Sequence, residues 1–225
     1  MIDIAGLSKS FGTRVLWQDL TFSVEAGRML ALTGPSGSGK STLLNCLGLL
    51  DTPTSGTISH NGRALVGLGA RRTRIYRRDT LGYLFQNYAL IDNATIADNL
   101  DIAVRPGRAR GRKQPAPTPA EALERVGLAG REGDIVHRLS GGEQQRVALA
   151  RLIVKQPALV LADEPTGALD LDNTHMVIDT LRSLADSGCA VVIATHDPTV
   201  RDLCDSVLRV GTSTSPVPVK EISAS

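Results

Sequence analysis

The eight residues "GPSGSGKS", Gly34 to Ser41, constrain this chain more than any other stretch. They satisfy G-x-x-x-x-G-K-[ST] and sit between a short apolar run, "MLALT" (Met29 to Thr33), and an apolar helical stretch, "STLLNCLGLL". A buried parallel strand that turns into a helix through such a loop aims successive backbone N–H groups inward, with the helix's positive end behind them. That arrangement cradles phosphate. It makes Gly34, Pro35, Ser36, Gly37, Ser38, Gly39, Lys40, Ser41 and Thr42 the expected nucleotide contacts, with Lys40 a point charge near the β- and γ-phosphates and Ser41 a Mg²⁺ ligand.

Two further apolar runs carry polar residues to what would be the same sheet edge. "LVLADE" (Leu159 to Glu164) ends in two acids, of which Asp163 is placed to hold magnesium through water and Glu164 to orient and deprotonate an attacking water. An Asp-Glu pair alone equally suits a solvated strand end; beside a phosphate loop it reads as metal holder and base. "AVVIAT" delivers His196 to the same edge, in reach of a γ-phosphate. In "LGYLFQNYAL", Gln86 follows a short apolar stretch, and its amide oxygen could reach the metal or the water.

Around these motifs the pattern is that of an α/β fold. "VLWQDLTFSV" (Val15 to Val24) alternates as half-exposed antiparallel strands do, and "TISHNG" reads as a strand entering an Asn-Gly turn. From about Arg71 to Arg138 the character is helical and more polar, an inserted subdomain interrupted by the Pro-, Gly- and Arg-rich loop Arg105 to Ala120. "ALVLA" and "AVVIAT" are buried strands flanking a helix from Asn173 to Ala185. We expect one domain, 1–225, with an α/β core at about 1–86 and 157–210, a helical subdomain at about 87–156 and a weakly ordered tail from Gly211.

At 225 residues the chain can bury about 70 to 75% of its unfolded surface, so no staples are required. A net charge of +2 gives no global reason for a nucleic-acid partner. The one local basic stretch, "RALVGLGARRTRIYRR" (Arg63 to Arg78), suits a solvated face or an anionic membrane surface as well as nucleic acid. Cys46, Cys189 and Cys204 are odd in number and widely spaced, which fits a reducing cytosol rather than a disulfide frame or zinc site. "MIDIAGLSKSFG" lacks a signal-peptide core, and the apolar run Leu43 to Leu50 is too short to span a bilayer, so any membrane role is expected to be peripheral.

"LSGGEQQRVALAR" (Leu139 to Arg151) poses a different problem. Ser140 and Glu143 form a capping-box pattern, but Gly141 and Gly142 weaken the first turn that the box would open. Close access to the backbone would explain them.

Taken in order, these motifs resemble those of the ATP-binding subunits of ATP-binding-cassette (ABC) transporters over nearly the whole chain. "GPSGSGKS" is similar to the Walker A loop, "FQNYAL" to the Gln loop and "LSGGEQQ" to the family signature. "LVLADEPTGALD" is similar to Walker B running into the Asp loop, and "ATHD" to the switch-His loop. The resemblance implies a P-loop NTPase with an antiparallel β subdomain and an inserted helical subdomain, binding ATP and Mg²⁺ and hydrolysing ATP. It implies that Phe11 stacks on adenine, where the family commonly has Tyr, that Gln86 links magnesium to a membrane partner, and that Asp170 lies at a dimer seam. It further implies a head-to-tail dimer in which Ser140, Gly141 and Gly142 reach the γ-phosphate held by the partner chain, and a separate integral membrane permease. Ser140 would then have two competing uses for one hydroxyl.

Within the family, "GLLDTPTSG", "DEPTGALD" and "GYLFQNYALIDNATIADNL" look most like the lipoprotein-release, macrolide-export and lactococcin-type bacteriocin exporters, and the stretch around the Gln loop makes the last the single subgroup we expect. The stretch Arg105 to Ala120 departs from the usual helical pattern. Two alternatives stand beside the transporter reading: an ABC ATPase driving a signalling or mechanical membrane complex, and a nucleic-acid-associated relative. The long coiled coil, tandem cassette or zinc cysteines of the latter are not in this sequence, and no nucleic-acid partner is expected.

Overall fold

The computed structural model describes residues 1–103, 117–166, 171–211 and 217–218. Most of the loop 105–120 and Asp170 fall outside the described residues.

Two sheets share the molecule. An antiparallel sheet has the order β2-β1-β4-β5, from β1 (Ile2–Phe11), β2 (Arg14–Val24), β4 (Ser55–His60) and β5 (Arg63–Ala64). The expected Asn-Gly turn joins β4 to β5, with Asn61 at φ 49 and Gly62 at φ 74, the left-handed pair of a tight hairpin. The second sheet has the order β10-β9-β3-β8-β7-β6, built from β3 (Met29–Thr33), β6 (Leu81–Leu84), β7 (Leu159–Asp163), β8 (Ala190–Ala194), β9 (Ser206–Arg209) and β10 (Val217–Pro218). Strands β6, β7, β8, β3 and β9 run parallel; β10 is antiparallel to β9.

The parallel strands are buried on both faces, which is why they read as continuous apolar runs. Their two-residue period still sorts side chains between two cores. Met29, Ala31, Val160, Ala162, Val191 and Ile193 face a core built with the helices α3 (Ile96–Asp101), α4 (Pro119–Arg125), α5 (Gly141–Lys155) and α6 (Leu171–Asp186). Leu30, Leu32, Leu159, Leu161 and Val192 face the other core, with α1 (Lys40–Leu47) and the antiparallel sheet. The chain closes with α7 (Pro198–Asp202), and α2 (Ala70–Asp79) lies on the surface before β6.

Three features differ from the sequence expectations. The stretch read as helical from Arg71 contains β6, a four-residue strand that pairs with β7, because "LGYL" is too short to show a strand period beside the helical run of α2. The loop read to Ala120 ends sooner: Thr118 caps α4, and Pro119 opens it. In the tail, Val217 and Pro218 pair with β9.

Candidate functional site

The carboxyl ends of β3, β8 and β7 lie side by side, so the three loops singled out in the sequence meet at one sheet edge. The phosphate-loop geometry depends on backbone that only glycine accepts. Gly39, at φ 93, is the N-cap of α1, and a Cβ there would come within 2.8 Å of Trp17 Nε1; Gly34, at φ 142, would press a Cβ to 2.8 Å from Val210 O. Trp17 Nε1 donates to Gly39 O (3.4 Å) and Arg14 Nη2 to Gly37 O (3.3 Å), fixing the loop from β2. Lys40 Nζ lies back over the loop, donating to Gly34 O at 2.9 Å and Pro35 O at 3.4 Å.

Ser41 Oγ donates to Asp163 Oδ1 (3.1 Å). Burial pushes the Asp163 carboxyl above its ordinary range; the Ser41 hydrogen bond opposes this, Glu164's charge adds to it and Lys40's charge lowers it. Next in sequence, Glu164 has a left-handed backbone (φ 45), held by its N–H donating to Ala194 O at 2.9 Å. Such a conformation in a residue other than glycine is costly and clusters at working sites. Glu164 Oε2 lies 2.8 Å from His196 Nδ1 and accepts from His196 N at 3.4 Å. Thr195, fully buried, donates its N–H to Leu32 O, and Asp197 caps α7, so His196 is carried between two anchors with its ring 73% exposed.

A cleft of about 580 Å³ gathers Phe11, Arg14, Ser36, Gly37, Gly39, Lys40, Ser41, Thr42 and Glu164 along its walls, with Leu16. Phe11 is 54% exposed at its rim. Lys9 lies against the Phe11 ring, Nζ 4.7 Å from the centroid, and is itself held by Asp51 Oδ1 and Thr52 O, both at 2.7 Å. The cleft fits a nucleotide: an inward-turned loop with a lysine at its floor and an aromatic face at its edge. A hydroxyl beside a carboxylate suits Mg²⁺, which takes few protein oxygens and completes its shell with phosphate and water.

The structure brings most of the expected residues together and leaves others apart. Gly34, Pro35 and Ser38 belong to the loop, and the Ser38 hydroxyl is buried without a hydrogen-bond partner among the described residues. Gln86 leaves the end of β6 with an exposed side chain and is not among the residues lining the cleft. Asp170 lies outside the described residues. Ser140, Gly141 and Gly142 open α5 away from the cleft walls. The capping box is formed: Ser140 Oγ accepts from Glu143 N (3.3 Å), and Glu143 Oε2 accepts from Ser140 N (2.8 Å). Arg131 hydrogen-bonds the same Glu143, and with the Ser140 N–H it draws the Glu143 carboxyl down to about 2. Among the described residues a Cβ on Gly141 would meet nothing within 4 Å, so their packing does not require glycine there; at Gly142 it would meet the Asn173 side chain at 3.1 Å.

Residues that sequence reasoning missed bind the motifs together. Arg14 and Lys9 belong to β2 and β1, where nothing in the sequence distinguishes them from the other polar residues of those strands, although Lys9 is buried. Gln145 is 2% exposed and donates to Pro165 O, tying α5 to the residue after Glu164. Its signal was a polar side chain one turn into an apolar helix.

Comparison with known proteins completes the picture. The family model described as "ABC transporter" matches residues 17–167, more than half of the chain. The chain belongs to the ABC transporter family. It is 46% identical over 196 residues to the lipoprotein-releasing system ATP-binding protein LolD of Bordetella pertussis, covering 85% of this chain and 83% of that one. It is 38% identical to the macrolide export ATP-binding/permease protein MacB of Agrobacterium fabrum over 93% of this chain, but over only 33% of MacB. Among solved structures, the dimeric MJ0796, a bacterial ABC transporter cassette, superposes with a TM-score of 0.85 at 29% identity, covering 99% of this chain and 100% of that one. The dimeric post-hydrolysis state of MJ0796 bound to ADP and Pi gives 0.84 at 28% identity. The two-sheet architecture is thus the ABC-type P-loop fold, and this ABC protein is a nucleotide-binding ATPase. No helix among its described residues is long and apolar enough to cross a membrane.

Proposed function

We propose that this chain is the ATPase subunit that drives a separate integral membrane permease of the lipoprotein-release or macrolide-export kind, working at the cytoplasmic face of the membrane. The observation that carries the proposal is the Ser41–Asp163 contact, which places a hydroxyl and a carboxylate at the mouth of the phosphate loop beside Glu164. Lys40 exchanges its loop carbonyls for the β- and γ-phosphates of ATP. Ser41 and Asp163 would hold Mg²⁺, which supplies neutralisation of charge on the phosphate oxygens. Glu164 takes a proton from the attacking water as that water bonds to the γ-phosphorus and ADP leaves, and His196, already hydrogen-bonded to Glu164, orients base and γ-phosphate. Phe11 offers its ring to adenine.

The open surroundings of Gly141 among the described residues favour the reading in which Ser140, Gly141 and Gly142 meet the nucleotide of a second cassette, with Asp170 at that seam. For the membrane partner, a groove of about 280 Å³ lined by Leu50, Phe85, Ile102, Arg77 and Arg151 opens beside Gln86, and a permease segment would fill it. Relatives named for lipoprotein release and macrolide export support an exporter over a signalling complex; no specific observation favours nucleic acid.

The test is to solubilise membranes gently, isolate the chain with its bound integral membrane protein, and measure ATP hydrolysis with and without it. A permease that changes the rate supports the reading. ATP turnover indifferent to every co-purified membrane protein would count against it.

A further inference from the structure

Charge is distributed very unevenly over this molecule. Helix α2 contributes five arginines and one aspartate in ten residues, a net +4, whereas the whole chain carries +2, so everything else sums to −2. None of the residues of α2 is buried. The helix is fixed by one side only. Thr73 Oγ1 donates to Leu68 O, Tyr76 packs edge-on to His60 with its hydroxyl 3.3 Å from His60 Nδ1, and Lys155 Nζ donates to Arg77 O.

At 3.6 residues per turn the opposite side gathers Arg71, Arg74, Ile75 and Arg78 into an arc of about 100°, with Arg72 on its flank. All five are exposed. Arg78 is neutralised by Asp79 through Nε–Oδ1 (2.7 Å) and Nη2–Oδ2 (2.8 Å), whereas Arg71, Arg72 and Arg74 form no ion pair among the described residues. In the middle of this basic face sits Ile75, a β-branched apolar side chain 39% exposed.

We infer that the outer face of α2 is a membrane-contact surface for anionic phospholipid headgroups, with Arg71, Arg72 and Arg74 on the phosphates and Ile75 entering the headgroup–acyl boundary. Ile75 decides between the two polyanions that a basic helix could meet. An apolar side chain set among arginines gains nothing against the phosphates of a duplex, whereas an interfacial helix uses that pairing. Arg77, on the same helix, lines the apolar groove beside Gln86, so the surface continues into the one assigned above to the permease. The inference does not rest on that assignment, because its test needs lipid alone.

The full chain is mixed with vesicles of phosphatidylcholine and with vesicles of equimolar phosphatidylcholine and phosphatidylglycerol, and the bound fraction is measured by flotation across a salt series. Binding is expected on the anionic vesicles only, falling as salt is raised. The variant Arg71→Gln/Arg72→Gln/Arg74→Gln should bind about a hundredfold more weakly, at roughly fivefold per arginine near an anionic surface. Ile75→Ser should weaken binding severalfold while leaving its salt dependence unchanged. Among the described residues the Arg71, Arg72 and Arg74 side chains form no hydrogen bond or ion pair, so the triple variant is expected to keep the wild-type melting temperature. Equal partition onto both kinds of vesicle, wild-type affinity in the triple variant, or binding to duplex DNA in place of anionic vesicles would each overturn the inference.

Discussion

Ser41 and Asp163, 122 positions apart in sequence, are joined by a 3.1 Å hydrogen bond that links the first turn of α1 to the last residue of β7. The pair lies where β3 and β7 flank β8, so a metal held by it would tie the phosphate loop to the strand that leads into Glu164. Ser41→Ala is expected to leave the fold intact and remove the metal dependence of nucleotide affinity. Titrating fluorescent ATP with and without Mg²⁺ measures it, and an unchanged Mg²⁺ effect would contradict the role.

Glu164→Gln keeps the shape of the side chain and removes the proposed base. Turnover should fall by about a hundred- to ten-thousandfold while ATP still binds, and the variant should accumulate as a closed dimer in ATP. Steady-state phosphate release with size-exclusion chromatography tests both halves, and near-wild-type turnover would dismiss Glu164 as the base.

Lys40→Ala should weaken ATP binding by about ten- to a hundredfold, the range for a lost charge-assisted hydrogen bond. If active sites are shared between chains, mixing Lys40→Ala with Ser140→Ala should restore one competent site in the mixed dimer. A mixture no more active than its parts would argue for sites complete within one chain.

Lys9 bears on the adenine end. Its ammonium sits on the Phe11 ring, and Lys9→Met removes that charge and the support from Asp51. We expect ATP to bind about threefold to thirtyfold more weakly, in line with a cation–π contact, with tripolyphosphate unaffected because it has no base. Isothermal titration with both ligands distinguishes this from a general loss of the phosphate loop.

The depressed carboxyl of Glu143 predicts a pH signature. Its folded value, about 2, lies below the ordinary 4.5, so its contribution to stability is fully present above pH 4.5 and is lost as pH falls from 4.5 towards 2. Melting temperature measured through that window should drop less steeply for Glu143→Gln than for wild type. Parallel curves would mean that the Arg131 contact does not hold in solution.

What the sequence made legible follows from how local each signal is. The phosphate loop, the strands β3, β7 and β8 and the Ser140 capping box depend on neighbours within a few residues, and all are present as expected. β6 escaped because four residues carry too little period to stand out after α2. The clustering of Ser41 with Asp163, and of Glu164 with His196, depends on the adjacency of β3, β8 and β7, which no local pattern encodes. Lys9 and Arg14 are invisible for the same reason, each acquiring its use from a partner more than twenty residues away; Gln145 stands out as a polar residue in an apolar helix, but its partner Pro165, twenty residues on, does not. The opening glycines of α5 fall between these cases. Their oddity is local, but the open space around Gly141 among the described residues is not.

Three helices among the described residues begin with a capping box, at Thr95, Thr118 and Ser140. Among the described residues, only the acid of the third is also hydrogen-bonded by an arginine, Arg131. Glu143 can therefore keep hold of the Ser140 backbone N–H with its own position secured from outside the helix. The start of α5 is fastened twice, and one fastening can be released without the first turn unravelling. In the dimer proposed above, the serine hydroxyl would thus serve as a detachable latch, turning to a visiting phosphate and returning at the cost of one hydrogen bond each way.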